Sequence, residues 1–112
     1  MKKIEAIIRK SKFNEVKEAL HKVEVNFFSY WDVTGLGNEK QGHVYRGISY
    51  STSEIQRRYL SIVVNDSFVQ PTIDAILNAA ATDKVGDGKI FVLPVEEAYR
   101  IRTGEKGSDS LN

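Results

Sequence analysis

Residues 57–80 read RRYLSIVVNDSFVQPTIDAILNAA, and within this stretch the pattern changes from strand-like to helix-like. Residues 59–64 are dense in branched and aromatic side chains, which predicts a β-strand. After Asp66, apolar residues recur at spacings of three and four as far as Ala80, which predicts an amphipathic helix. The stretch is therefore predicted to be a strand followed by a helix, and an earlier part of the chain shows the same arrangement.

A similar unit precedes it. Residues 3–9 alternate, with Ile4, Ala6 and Ile8 on one side, and residues 11–23 show the helical period, so a strand and a helix are predicted. Further strands are predicted at 25–34, 89–93 and 98–102, before a polar C-terminal tail at 103–112. The element order predicts an α+β, ferredoxin-like βαββαβ fold with an antiparallel sheet and a long loop between strands 2 and 3.

The size of the chain indicates a single domain over residues 1–112, with 41% hydrophobic and 28% charged residues. A chain this short buries only about two thirds of its unfolded surface. A sheet with both helices on one face leaves its other face open, and Ile7 with Phe27 or Phe28 indicates that this face is partly apolar. We therefore expect other copies of the chain to cover it.

Composition excludes several classes of protein. Sixteen basic and fifteen acidic residues leave a net charge of +1, which lacks the basic excess that a surface for binding nucleic acid needs. The absence of cysteine excludes disulfides and thiolate sites, and His43 has no second histidine at zinc-ligand spacing. No apolar run approaches the roughly 18 residues of a membrane span and no signal segment is visible, so a cytoplasmic protein is expected.

The segment 35–54 is rich in glycine and lacks periodicity. Hairpin connections usually have about two to five residues, and structureless loops beyond about 12–15 are uncommon unless they are functional or disordered. Its polar and aromatic groups, including His43, Tyr45 and Arg46, suit contact with a partner. A tolerated insertion is the plain alternative, but a partner-binding or switching loop is favoured.

Two features suit an anion. The turn 86–88 places glycines on both sides of Asp87, a pattern that can point successive N–H groups into a concavity, and Lys89 adds positive charge. Arg100 and Arg102 lie two apart on a predicted strand, so both guanidiniums would project from one face and suit a polyphosphate. Each feature also has a plain explanation, either common turn chemistry or a solvated strand edge.

Four stretches, in this order, resemble the signatures of the PII nitrogen-regulatory proteins. They are MKKIEAIIR (1–9), YRGISY (45–50), TDKVGDGKIFV (82–92) and RIRTGE (100–105). The similarity covers essentially the whole chain. The resemblance implies a homotrimer with nucleotide sites in the clefts between subunits, and it makes segment 35–54 the T-loop of the family.

The resemblance also implies the binding residues. ATP or ADP would be held by Ile7, Ser29, Gly35, Gly37, Val64, Gly86, Asp87, Gly88 and Lys89, with Arg100 and Arg102 reaching the phosphates from the neighbouring subunit. 2-Oxoglutarate would bind beside Mg²⁺ and ATP through Glu39, Lys40, Gln41 and Arg57, with Glu39 as the metal ligand. Glu39 stands where the family has glutamine, and its charge would repel the dianionic effector.

In the family, 2-oxoglutarate reshapes the loop so that target proteins bind or dissociate, which requires different ligand affinities for two loop states. Tyr45, Arg46 and Gly47 correspond to the partner-binding tip, and Tyr50 to a tyrosine that is uridylylated in some bacteria. The implied protein is a non-catalytic regulator. Its expected partner is an ammonium transporter, which would recruit it to the membrane, or glutamine synthetase or a related nitrogen regulator. Two alternatives stay open: a PII-like trimer that senses another metabolite, and a slow ATP-hydrolysing enzyme.

Overall fold

The computed structural model describes residues 1–37, 44–45, 48–49 and 53–111. In chain order its elements are β1 (Lys2–Ile8), α1 (Phe13–Lys22), β2 (Ser29–Gly37), β3 (Val44–Tyr45), β4 (Ile48–Ser49), β5 (Ser53–Val64), α2 (Val69–Ala80) and β6 (Gly88–Pro94). Short 3₁₀ turns occur at Lys10–Lys12, Asp66–Phe68 and Ser108–Leu111. None of the helices in these ranges is long and apolar enough to cross a membrane.

Four strands form one sheet in the order β2-β5-β1-β6, and all neighbours in it are antiparallel. α1 connects β1 to β2, and α2 connects β5 to β6. The short strands β3 and β4 pair with each other within the connection between β2 and β5. This arrangement confirms the predicted α+β, ferredoxin-like fold with a long loop between the second and third strands of the sheet.

The core lies between the two helices and one face of the sheet, because successive side chains of a strand point to opposite faces. Ile4, Ala6 and Ile8 of β1 are buried on the helix side, next to Leu60 and Ile62 of β5. The helices add one buried apolar stripe each, formed by Phe13, Val16 and Leu20 in α1 and by Ile76 and Ala80 in α2. The predicted alternation in β1 is therefore confirmed.

The second strand begins at Ser29, so the predicted start at Val25 is wrong. α1 ends in a turn in which the Val25 N–H donates to the Leu20 carbonyl at 2.9 Å, and Glu24 takes a left-handed φ of 66°. This is the Schellman pattern that closes many helices, and its last residue commonly makes an apolar contact. Val25 is buried for that reason and not as part of a strand.

The strands β2 and β5 stay paired further into the glycine-rich segment than the sequence predicts. Gly37 pairs with Ser53, and β5 begins there, ahead of the strand predicted at residues 59–64. Ladder hydrogen bonds join backbone groups and need no particular side chain, so a glycine-rich stretch can remain extended beside a partner. As a result, Gly35 and Gly37 lie on a strand.

The predicted strand at 98–102 is wrong. In that stretch Tyr99 makes a single bridge with Lys106. The Gly104 N–H donates to the Arg100 carbonyl at 2.8 Å, and Gly104 has a φ of 72°. Glycine adopts positive φ at little cost, so the chain reverses here. Arg100 and Arg102 consequently belong to a turn and do not share one face of a strand.

Candidate functional site

An open cavity of about 670 Å³ lies on the sheet face that the helices leave uncovered, beside the turn that precedes β6. Two cations, Arg57 and Lys89, line it, and its described lining contains no carboxylate. Most of the other lining side chains are apolar or aromatic, namely Ile7, Val33, Leu36, Ile55, Tyr59 and Val85. Such a lining suits a ligand that combines an apolar or flat part with an anionic part.

The cavity gathers many of the residues that the sequence assigned to ligands. They are Ile7, Gly35, Gly37, Arg57, Gly86, Gly88 and Lys89. Sequence reasoning missed Val33, Thr34, Leu36, Ile55, Tyr59 and Val85. Strand register places several of these side chains, because Ile7 lies opposite Tyr59 and Val33 lies opposite Arg57. That pairing was not visible in the chain order alone.

Asp87 braces the turn 82–88 from outside the cavity. Its carboxylate accepts hydrogen bonds from the Thr82 N–H at 2.7 Å, from the Thr82 hydroxyl and from Arg9 Nε at 3.0 Å. The Thr82 donors first, and Arg9 after them, hold the pKa of Asp87 well below its usual range. The carboxylate is thus committed to the turn and is not part of the cavity lining.

The glycines of this turn meet two different demands. Gly86 and Gly88 have φ values of 100° and 107°, which other residues rarely adopt. At Gly88 a Cβ would also lie 1.7 Å from the Ile7 carbonyl oxygen. The turn therefore requires glycine for its conformation at both positions and for close contact with β1 at the second.

Arg57 links β5 to the turn. Its Nε donates to the Gly86 carbonyl at 3.2 Å, and its Nη1 donates to the Gln56 carbonyl at 2.9 Å. Hydrogen bonds from a guanidinium to a carboxylate or phosphate are stronger than those to a neutral carbonyl. An anion in the cavity can therefore replace a carbonyl as the partner of Arg57.

Tyr59 forms an aromatic wall of the cavity. Its ring stacks on Trp31, with centroids 4.7 Å apart and planes inclined by 18°. Its hydroxyl donates to Glu5, and this hydrogen bond raises the pKa of Tyr59 to about 12. Lys3 lies 3.0 Å from the same carboxylate. Stacking on one side and the hydroxyl bond at the tip hold the ring in place.

Arg100 and Arg102 lie at the opposite end of the sheet. The Arg100 guanidinium donates to the Asp109 carbonyl at 3.2 Å. The carbonyl of the preceding residue, Ser108, accepts a hydrogen bond from the Asn65 side chain at 3.1 Å. Asn65 follows Arg57 by eight positions, a separation of roughly 25 Å along an extended chain. Within one protomer the two arginines are too far from the cavity to contact its ligand.

Ser29 and Val64 are also at that end. Ser29 is exposed at the start of β2, opposite Ser61. The Val64 side chain points towards the helices and is 7% exposed, whereas Val63 lies on the open face. Neither predicted residue lines the cavity. One protomer thus divides the predicted nucleotide residues between two ends of its sheet.

The other predicted residues lie outside the described part of the chain. These are Glu39, Lys40, Gln41, Arg46, Gly47 and Tyr50, together with the side chain of Tyr45. Within the part that is described, no group of three or more histidine, aspartate or glutamate side chains could hold a metal ion. The magnesium prediction therefore depends on Glu39 and stays a prediction.

Comparison with known proteins agrees with the motifs and the fold. The family model for Nitrogen regulatory protein P-II matches residues 1–105. A Nitrogen regulatory protein P-II of Azospirillum brasilense is 50% identical over 113 residues, which cover 99% of this chain and 100% of the relative. Proteins of the same name from Cereibacter sphaeroides and Nostoc punctiforme are 48% and 45% identical, with the same coverage. The resemblance inferred from the sequence is confirmed, and the chain belongs to the PII family of nitrogen regulatory proteins.

Proposed function

We propose that the protein is a homotrimeric sensor of nitrogen status that binds ATP or ADP between subunits and signals through segment 35–54. The observation that carries the proposal is that the residues predicted to bind the nucleotide are divided between two ends of the sheet. One end supplies Lys89 and the glycine turn, and the other supplies Arg100 and Arg102. A single copy cannot bring these groups together, whereas copies packed side by side can.

The open face of the sheet supports such an assembly. Trp31, Phe91 and Leu93 lie on it and are 46%, 46% and 39% exposed. Large apolar side chains exposed on a sheet face that no helix covers are typical of an interface between proteins. In the proposed trimer, the cavity of one copy would lie beside the C-terminal turn of the next.

The chemistry of the cavity favours a nucleotide. Lys89 and Arg57 attract phosphate groups, and the turn 86–88 can add backbone N–H donors. The apolar side chains and the ring of Tyr59 suit the base or the sugar. ATP and ADP share all of these features, so they would compete for one site.

Calorimetric titration with ATP and ADP, together with a molar mass from light scattering, tests the proposal. Lys89→Gln removes a cation of the cavity, and Arg102→Gln removes one of the C-terminal turn. Each is expected to weaken ATP binding by about tenfold, the usual effect of losing one charge-assisted hydrogen bond. Lys84→Gln is the matched control, because the Lys84 side chain is exposed within the same turn but does not line the cavity.

Mixed trimers show whether a site spans two copies. When Lys89→Gln and Arg102→Gln subunits are reassembled together, some sites combine an intact cavity with an intact turn. Wild-type affinity is therefore expected to return in a fraction of sites. A mixture without recovery, or a monomer that ignores both nucleotides, would refute the proposal. ATP turnover above about 1 per second would favour an enzyme instead.

The effector proposal concerns 2-oxoglutarate bound with Mg²⁺ and ATP. Arg57 supports it as a cation at the rim of the cavity, and Glu39, Lys40 and Gln41 would complete the site, with the Glu39 carboxylate on the metal. Because Glu39 also repels a dianion, Glu39→Gln is expected to strengthen 2-oxoglutarate binding in calorimetry with Mg²⁺ and ATP. Unchanged binding would contradict this repulsion.

The signalling proposal concerns the loop and rests on family membership. Tyr45, Arg46 and Gly47 would contact an ammonium transporter, or glutamine synthetase or a related nitrogen regulator, and Tyr50 would be a modification site. Co-sedimentation with vesicles that contain the transporter is expected to differ between ADP and Mg²⁺–ATP with 2-oxoglutarate, and Arg46→Ala is expected to abolish it. Binding that ignores both the nucleotide and Arg46 would contradict the proposal.

A further inference from the structure

We infer that Arg9 is a positioning residue that holds the turn 82–88 in the shape needed to bind an anion. The inference rests on the proposed function, because it concerns how the phosphates of ATP would be held. Arg9 follows β1 directly, its side chain is 19% exposed, and it does not line the cavity. Its influence on the cavity would therefore pass through the turn.

The Arg9 guanidinium joins the turn at two points. Its Nε donates to the Asp87 carboxylate at 3.0 Å, and its Nη2 donates to the Val85 carbonyl, also at 3.0 Å. The same carboxylate accepts bonds from the N–H and the hydroxyl of Thr82. The Arg9 guanidinium thus ties Val85 and Asp87 to the segment after β1, and Asp87 in turn holds Thr82 at the start of the turn.

The bond to Val85 decides where the next N–H points. In a trans peptide, a carbonyl and the N–H that follows it point to opposite sides of the chain. The Val85 carbonyl accepts from Arg9, so the Gly86 N–H points away from Arg9. Because Gly86 lines the cavity and Arg9 does not, this is the side on which we expect the anion. Because Gly86 has no side chain and a φ of 100°, its own conformational preference does little to hold this orientation.

The following peptide is held from the cavity side. Arg57 donates to the Gly86 carbonyl, so two arginines fix successive peptides from opposite sides. Lysine cannot replace Arg9 in this arrangement, because a single ammonium group lacks the rigid fork that reaches a carboxylate and a carbonyl together. The inference therefore predicts that the geometry of the guanidinium matters in addition to its charge.

ATP titration of the wild type, Arg9→Gln, Arg9→Lys and Lys12→Gln tests this. Lys12 is the matched control, since its side chain is 27% exposed and pairs with Glu15 at 3.4 Å. Both Arg9 variants are expected to weaken ATP binding about tenfold, the lower end of the effect seen when a residue that orients a metal ligand is removed from a metal site. Lys12→Gln is expected to bind as the wild type does. In the nucleotide-free protein, the NMR resonance of the Gly86 amide is expected to shift in both Arg9 variants and not in the control.

Wild-type affinity in Arg9→Lys would overturn the inference, because charge alone would then suffice. An unshifted Gly86 resonance would overturn it as well. If the wild type binds no ATP, the proposed function fails, and the Gly86 resonance still decides whether Arg9 sets the turn. Should the Arg9 variants misfold, Thr82→Val removes one bond to Asp87 and is expected to weaken ATP binding about threefold. Full affinity in Thr82→Val would contradict the inference.

Discussion

Gly88→Ala is expected to lower the free energy of unfolding by about 3 kcal/mol, the sum of two effects. Gly88 has a φ of +107°, and a left-handed conformation costs other residues about 1–2 kcal/mol. The added Cβ would also lie 1.7 Å from the Ile7 carbonyl oxygen and 2.8 Å from its carbon. Both are backbone atoms of β1, so β1 or β6 must shift, and such overpacking costs about 1–3 kcal/mol.

Gly104→Ala provides the control that separates the two effects. Gly104 has a φ of +72°, and nothing lies within 4 Å of a Cβ added there. Alanine at this position therefore incurs only the conformational cost, about 1–2 kcal/mol. The difference between the two variants, about 2 kcal/mol, measures the collision with β1.

Urea unfolding can follow the fluorescence of Trp31, the single tryptophan of the chain. The protein concentration must be the same in all samples, because the apparent stability of an oligomer depends on it. If Gly88→Ala proved no less stable than Gly104→Ala, the argument from the pairing of β1 with β6 would be refuted. An equal loss in both variants would mean that the strands separate at this end without cost.

Asp87→Asn is expected to destabilise the protein at pH 7, because the pKa of Asp87 is depressed in the folded state. This stabilisation is complete above the unfolded pKa of about 4 and is lost as the pH falls towards the folded pKa, so the urea midpoints of variant and wild type should draw closer as the pH is lowered from about 7 to about 2. At pH values below about 10, Tyr59→Phe should have a lower urea midpoint than the wild type. This difference should vanish as the pH rises through about 12, the raised pKa of Tyr59 in the folded state. A difference that does not depend on pH would contradict the bond to Glu5. Glu24→Gly should stabilise the protein by about 1 kcal/mol in thermal unfolding, because Glu24 has a φ of 66°, whereas Glu15→Gly within α1 should destabilise it by about the same amount.

The element types could be predicted because each depends on neighbours along the chain. The alternation of Ile4, Ala6 and Ile8 identified β1 and its buried face, and the apolar stripe before Ala80 identified α2. The start of β2 could not be predicted in this way. Val25 is apolar because it closes a helix cap, and in one dimension such a residue looks the same as the first residue of a strand.

The C-terminal arginines show a second limit. Arg100 and Arg102 have the spacing of one strand face, but the left-handed Gly104 turns the chain back on itself. Sequence reasoning identified the arginines as candidates for binding phosphate. It misjudged their local structure, because a positive φ at one glycine outweighs the strand preference of its neighbours.

The candidate site shows the same contrast. Gly86, Gly88 and Lys89 could be named in advance, since their chemistry lies within one short motif. Tyr59 joined them only through its register with Ile7, and Arg9 only through a hydrogen bond across 78 positions of sequence. No local pattern indicates such contacts, because they depend on which strands become neighbours.

By itself, the sequence determined the family, the order of the two helices and of the four strands of the main sheet, and the chemical groups available to bind a ligand. These follow from periodicity and from motifs that are contiguous along the chain. Only the tertiary structure decided which of those groups share a cavity, which lie at the far end of the sheet, and which hold a turn from outside. The physical reason is that strand register and long-range hydrogen bonds set the distances between residues that are remote in sequence.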